Sequence, residues 1–268
     1  MLKTEKRNPR TTYIDRATVG EALAMIQHEN EVAVHAVGEA LGAIEAVCEA
    51  LCARMARGGR LIYIGAGTSG RLGVLDAVEC PPTFGVPTGL VCGVIAGGYE
   101  RMVTAAEAAE DSAENGVRDL GALNVTEADT VVGISAAGGA KYVLAALKHA
   151  REAGALTVGL TCNADAPLAT EADMAIVTDT GAEAITGSTR MKAGTAHKLV
   201  LNMLSTCAMV RAGHVYENLM INLRPTNEKL RRRCIFIVRD ILGCTEEEAE
   251  ARLARADWSI RRAVEDEA

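Results

Sequence analysis

The chain has 268 residues, room for one large domain or for a domain with a small appendage. Hydrophobic residues make up 49% and charged residues 24%, which excludes disorder for most of the chain, and a formal charge of −7 excludes a general binder of nucleic-acid backbones. Aromatics are only 3%, so the core is built from Ala, Val, Leu, Ile and Met packed closely by Gly, a composition suited to α/β layers rather than to a β sandwich.

The opening residues, MLKTEKRNPRTTYIDR, are too polar for a secretory signal, and no run reaches the roughly 18 apolar residues that span a bilayer. A cytoplasmic chain without a membrane partner is expected. The eight cysteines, at 48, 52, 80, 92, 162, 207, 234 and 244, lie scattered in apolar runs without a C-x-x-C pair, and no His stands at ligand spacing beside Cys48 and Cys52. Reduced core thiols and no metal centre follow from that pattern.

Residues 17–56 carry apolar side chains at three- and four-residue intervals without Pro, which predicts helix in one long or two shorter pieces, stopped by Gly58-Gly59. A strand-type run then opens at Arg60-Leu-Ile-Tyr-Ile64. Further short Val/Ile-rich strands are predicted at 90–95, 130–135, 156–161 and 174–178, with helical stretches at about 70–78, 100–113 and 141–152. This alternation predicts right-handed βαβ crossovers and a parallel sheet. Residues 190–212 read as a long apolar helix, able to cover one sheet face or to meet a second subunit. Past Asn222-Leu-Arg-Pro225, residues 227–268 read as a small helical tail, with a capping box at Thr245-Glu-Glu-Glu248. Its Arg231-Arg-Arg233 run points to different sides of a helix and reads as solvated surface, not as a nucleic-acid contact. The expected division is an N-terminal helical segment (1–50), an α/β domain (51–214) and the tail (227–268).

Directly after the first strand comes Gly65-Ala-Gly-Thr-Ser-Gly-Arg71. A glycine loop leading into a helix offers free backbone N–H groups and the positive end of the helix dipole to an anion. The dinucleotide reading of G-x-G-x-x-G needs an acid at the end of the second strand, where Ile95-Ala-Gly-Gly98 stands instead. The nucleotide P-loop fails as well, because Arg71-Leu72 replace Lys followed by Ser or Thr. Thr68 and Ser69 add two hydroxyls at the helix start, a set suited to a monophosphate. Glu79 is expected at a helix end, just before Cys80-Pro-Pro82, where the negative helix terminus disfavours a carboxylate. Glu107, Glu110 and Asp111 offer further acids after Gly97-Gly98, and spacing does not choose among them.

The strings GAGTSGRLGVLDAVECPPTFG (65–85) and GSTRMKAGTAHKLVLNMLST (187–206) closely resemble the N-acetylmuramic acid 6-phosphate etherase family. Residues 4–16, 96–112 and 224–230 are similar to it too, so the likeness runs nearly the full length. It implies a sugar isomerase (SIS, flavodoxin-like) fold: a five-stranded parallel sheet between helices, binding phosphosugars, usually as a homodimer. It also implies a ubiquitin-associated-like helical tail, here shorter than usual. The family reaction, a step of amino-sugar catabolism and cell-wall recycling, cleaves the D-lactyl ether at C3 of the phosphorylated amino sugar. The products are N-acetylglucosamine 6-phosphate and D-lactate. In the open-chain form C1 is an aldehyde that acidifies the C2 hydrogen, so lactate leaves C3 by β-elimination and water then adds. Removing the C2 proton and protonating the ether oxygen is work for two carboxylates, and no metal or organic cofactor is required.

The resemblance places the catalytic pair on Glu79, as proton donor to lactate, and Glu110, as base at C2. It carries phosphate or substrate contacts onto Thr68, Ser69 and Gly70, and onto Ser188, Thr189 and Lys192, although Ser188 and Thr189 equally fit a helix cap. The loop after the third strand departs from the family pattern. Ser135 and Gly138 remain, while Ala137, Gly139, Ala140 and Lys141 stand where hydroxyl donors and a Pro are usual. The same motif family includes the glucokinase regulatory protein, so a non-catalytic phosphosugar-binding regulator is the rival reading and a sugar-phosphate isomerase a third.

Overall fold

The computed structural model describes residues 2–104, 107–223, 225 and 227–265. Five short strands, β1 (Leu61–Gly65), β2 (Val91–Ile95), β3 (Thr130–Ile134), β4 (Leu156–Thr161) and β5 (Met174–Val177), form one parallel sheet in the order β2-β1-β3-β4-β5. Alternation along β1 sends Leu61 and Tyr63 to one face and Ile62 and Ile64 to the other, and all four are fully buried. Both faces are therefore covered, as a parallel sheet requires. Helices α1 (Val19–Glu39), α2 (Leu41–Met55), α3 (Gly67–Phe84) and α7 (Lys192–Arg211) share the first core. The second core is closed by α4 (Ala113–Gly121), α5 (Lys141–Glu152) and α6 (Pro167–Glu171).

Residues 17–56 split into two helices at Ala40, and the first opens with a Thr18/Glu21 capping box. Both pack into the same core as the sheet. The tail holds α8 (Glu228–Leu242), α9 (Glu246–Arg255) and α10 (Ile260–Glu265), which enclose a separate core around Cys234, Val238 and Leu253. The expected Thr245/Glu248 capping box is present.

Two helical expectations are corrected. The stretch 100–113 holds two short 3-10 turns, Tyr99–Met102 and Glu107–Asp111, with the α-helix starting only at Ala113 behind a Ser112 cap. Second, α3 does not stop at Glu79. It runs through Pro81 and Pro82 to Phe84 and ends on left-handed Gly85, whose N–H donates to Pro81 O at 2.9 Å. Proline φ is helical, and so close to the helix end the two missing N–H groups remove bonds without stopping the helix, whose last turn closes through Gly85. Of the family-like strings, Ala105, Ala106, Arg224 and Thr226 lie outside the described residues.

Two buried polar ties fix the helices that carry the site. Asp76 on α3 accepts from Tyr63 Oη of β1 (2.9 Å) and from Asn202 Nδ2 (2.8 Å) and Ser205 Oγ (3.2 Å) of α7. Glu29 of α1, 1% exposed, takes a two-pronged bond from Arg10 (2.6 and 3.0 Å) and an ion pair from Lys192, the equally buried first residue of α7. Burial pushes the Glu29 carboxyl up, but the two cations outweigh it and hold the pKa at about 2, against an ordinary 4.5.

Removing one member of a buried pair leaves an uncompensated charge, so Glu29→Ala should cost about 3–5 kcal/mol in denaturant unfolding. Because the folded pKa is depressed, the pairing stabilises fully above the ordinary carboxylate value, and that contribution is lost as pH falls from about 4.5 towards 2. Urea midpoints for wild type and Glu29→Ala should therefore converge over that window.

Candidate active site

In the strand order the chain turns one way from β1 to β2 and the other way from β1 to β3, so the carboxyl ends of β1 and β3 flank a topological switch point. A cavity of about 620 Å³ lies there. One wall is the start of α3, with Thr68 and Ser69. Its capping residue is Ala66, with no side-chain acceptor, so the first N–H groups of the helix stay available to a ligand. A second wall is the loop after β3, with Ser135, Ala137 and Ala140, and a third is the approach to α7, with Ser188, Thr189 and Arg190. Five hydroxyls from three segments thus converge on one volume.

Two glycines lie beneath this surface. A Cβ on Gly70 would fall 2.6 Å from Gly65 O and 2.7 Å from Ile95 Cγ1, so only Gly lets α3 sit this close to the sheet. Gly138 has φ +77°, and its Cβ would meet Ala166 Cβ at 2.4 Å. Its N–H donates to Ser135 Oγ at 3.1 Å, which holds that hydroxyl in place. Both glycines shape the cavity without lining it. Among the described residues, no group of three or more His, Cys, Asp or Glu side chains is placed to hold a metal ion.

Ser188 and Thr189 are not the cap of α7. That work is done by Glu183, fully buried, whose two carboxylate oxygens accept from the Lys192 and Ala193 N–H groups at 2.9 Å each. Burial raises the Glu183 carboxyl, partly opposed by those two N–H donors. Ser188 and Thr189 line the cavity instead. Lys192 points away from it, into the Glu29 pair, and supplies structure where a ligand contact was expected.

Of the acids that spacing leaves open, Glu110 lines the cavity and Asp111 does not, while the Glu107 side chain lies outside the described residues. Arg71 on α3 steadies the segment before Glu110 by donating to Met102 O (3.3 Å) and Thr104 O (2.9 Å). Glu79 is elsewhere. It is exposed on α3 beside a second cavity of about 250 Å³, lined also by Leu72, Asp76, Lys198 and Asn202.

Among the lining residues that the sequence does not single out are Glu5, Arg190 and His197. Glu5 reaches the cavity from the N-terminal segment, Arg190 from the approach to α7 and His197 from α7 itself, all three inside the family-like strings. Burial pulls the His197 pKa from 6.5 to about 4, so its ring is neutral at physiological pH, with Nε2 3.5 Å from Cys162 Sγ. A periodic apolar helix gives no sign of which face meets a cavity.

Two family models match the chain, the SIS domain at residues 98–207 and the glucokinase regulatory protein N-terminal SIS domain at residues 43–151. The protein named N-acetylmuramic acid 6-phosphate etherase of Mycolicibacterium smegmatis is 52% identical over 98% of this chain and 88% of its own. That of Lactococcus lactis subsp. lactis is 49% identical over 98% of this chain and 89% of its own. Among solved structures, a putative phosphosugar isomerase involved in capsule formation from Bacteroides fragilis aligns with TM-score 0.54 at 24% identity, covering 73% of this chain and 94% of that one. A phosphoheptose isomerase from Francisella tularensis aligns with TM-score 0.53 at 17% identity, covering 70% and 97%. These two speak for the fold alone.

The β3 loop generates a direct test of the cavity. Ala137 and Ala140 line it without offering a side-chain donor, and a hydrogen bond to a charged group contributes about 1.5–3 kcal/mol. Ala137→Ser with Ala140→Thr should tighten inorganic phosphate binding by roughly tenfold or more in calorimetry. Unchanged affinity would mean that the loop does not touch the anion.

Proposed function

The chain belongs to the N-acetylmuramic acid 6-phosphate etherase family, and from that premise we propose that it cleaves the lactyl ether of N-acetylmuramic acid 6-phosphate to N-acetylglucosamine 6-phosphate and D-lactate. The observation that carries this reading is the shared cavity, where Glu110 stands beside the hydroxyls of Thr68, Ser69, Ser135, Ser188 and Thr189. The hydroxyls and the open start of α3 hold the phosphate as donors. With the phosphate anchored, the sugar extends towards Glu110, which takes the C2 proton of the open-chain aldehyde.

Glu79 is the donor that protonates the departing lactate oxygen, and helix geometry constrains how it does so. Thr68 and Glu79 sit on one helix, eleven residues apart, which at 1.5 Å per residue is about 16 Å. That exceeds the reach from the phosphorus to the C3 oxygen of a hexose 6-phosphate. Glu79 therefore serves the cavity of a second copy. Leu75 and Val78, beside it on α3, are 43% and 58% exposed, apolar surface that a homodimer would cover.

The rival reading, a phosphosugar-binding regulator, draws on the glucokinase regulatory protein match. Purified protein incubated with substrate and a chelator should release D-lactate; binding without lactate supports the regulator, and ketose–aldose exchange an isomerase. Glu79→Gln and Glu110→Gln should each lower turnover by about 10²–10⁴-fold while phosphosugar binding persists. Only Glu110→Gln should also abolish exchange of the C2 hydrogen with solvent deuterium. Full activity in Glu110→Gln would overturn its assignment.

A further inference from the structure

The cavity holds a second carboxylate from the same chain, Glu5, and nothing in the reaction as described uses it. The chain spends many contacts to hold it there. Thr4, next to it, is completely buried and takes a bond from Asn163 Nδ2 (3.4 Å), while Lys3 N–H donates to Asn163 Oδ1 (3.0 Å) and the Lys3 ammonium pairs with Asp179. On the other side, Asn8 Nδ2 donates to Ala182 O (3.1 Å), Thr11 Oγ1 to Ala184 O (2.8 Å), and Arg10 grips Glu29. A polar segment of 3-10 turns is thus fastened across the β4 and β5 loops, with the Glu5 side chain left exposed at the cavity. A Cβ on Gly187 would lie 3.6 Å from Glu5 Oε2, which puts the carboxylate over the loop that carries Ser188 and Thr189.

Placing a carboxylate beside the hydroxyls that hold a phosphate is electrostatically unfavourable, so its position calls for a task. The reaction contains a third proton transfer besides those at C2 and at the lactate oxygen. The pyranose must open before C1 can become an aldehyde. On the sugar, the ring oxygen O5 is four bonds from phosphorus through O6, C6 and C5, whereas C3 lies two carbons beyond C5. A group next to the phosphate site therefore stands nearer O5 than C2 or C3, and O1 shares C1 with O5, so a carboxylate that reaches O5 can bridge to O1.

Resting on the etherase reading, we propose that Glu5 is the acid–base group that opens the sugar ring. Its carboxylate takes the O1 proton, the C1–O1 double bond forms as the C1–O5 bond breaks, and O5 receives the proton back from Glu5. The carboxylate is regenerated and no co-reactant is consumed. Glu110 and Glu79 then act on the open chain.

Anomer exchange of N-acetylglucosamine 6-phosphate, followed by NMR magnetisation exchange with the whole protein, isolates this step because it needs neither elimination nor lactate. Wild type should accelerate exchange over buffer. Glu5→Gln should lose that acceleration by about 10²-fold or more while retaining affinity for the sugar phosphate, and Glu5→Ala should regain part of it with added formate. Wild-type exchange rates in Glu5→Gln would overturn the assignment, giving the task to His197 or to the sugar's own phosphate. So would a wild type that releases D-lactate but exchanges anomers no faster than buffer, an outcome that leaves the etherase reading standing. A wild type that neither binds the sugar phosphate nor releases lactate would sink both.

Discussion

A rigid helix cannot bring its own two ends together, and α3 carries groups of the proposed reaction at both. Its first turn, with Thr68 and Ser69, is fixed at the carboxyl end of β1 by the glycine contact at Gly70. Its last turns carry Glu79, and Asp76 clamps that part of the helix to Tyr63, Asn202 and Ser205. Neither end is free to move towards the other. The hydroxyl-lined cavity and the exposed glutamate on the same helix are therefore parts of different sites unless a second copy brings them together.

The start of α7 obeys a similar constraint. Ser188 and Thr189 line the cavity while Glu183 caps the helix, and Lys192 is withdrawn from it because Glu29 holds the ammonium below. The buried charges thus act on the site through the backbone. They fasten the N-terminal segment, α1 and α7 to one another around the cavity, and the same fastening carries Glu5 to its rim. Chemistry of this kind depends on donors and carboxylates being held before substrate arrives.

How much of this the sequence discloses follows from the range of each interaction. The five strands are legible because Val- and Ile-rich runs bounded by Gly or Asp are local signals, and the Thr68-Ser69 loop is legible because strand, glycines and helix stand next to one another. Glu110 and the hydroxyls at 188 and 189 come through likeness of long strings, Ser135 through the remnant of a family loop pattern, and their convergence needs the fold. Where local signals compete, they mislead. Pro81-Pro82 reads as a helix stop, yet α3 continues because packing of Phe84 and the Gly85 end outweighs the lost bonds, and the Ala-rich stretch 100–113 reads as one helix while its described residues hold two 3-10 turns. Lys192 pairs with Glu29 across 163 residues, and Glu5 reaches the cavity from the far N-terminus, distances over which no spacing rule operates.

The claim that α3 divides its functional groups between two copies is open to one decisive measurement. Glu79→Gln and Glu110→Gln proteins, each inactive alone, are mixed under conditions of free subunit exchange and assayed for D-lactate release. If Glu79 serves the partner's cavity, each mixed dimer contains one site with both glutamates intact, and about a quarter of wild-type activity should appear. If Glu79 serves its own chain's cavity, every mixed site lacks one glutamate, and an inactive mixture would contradict the account.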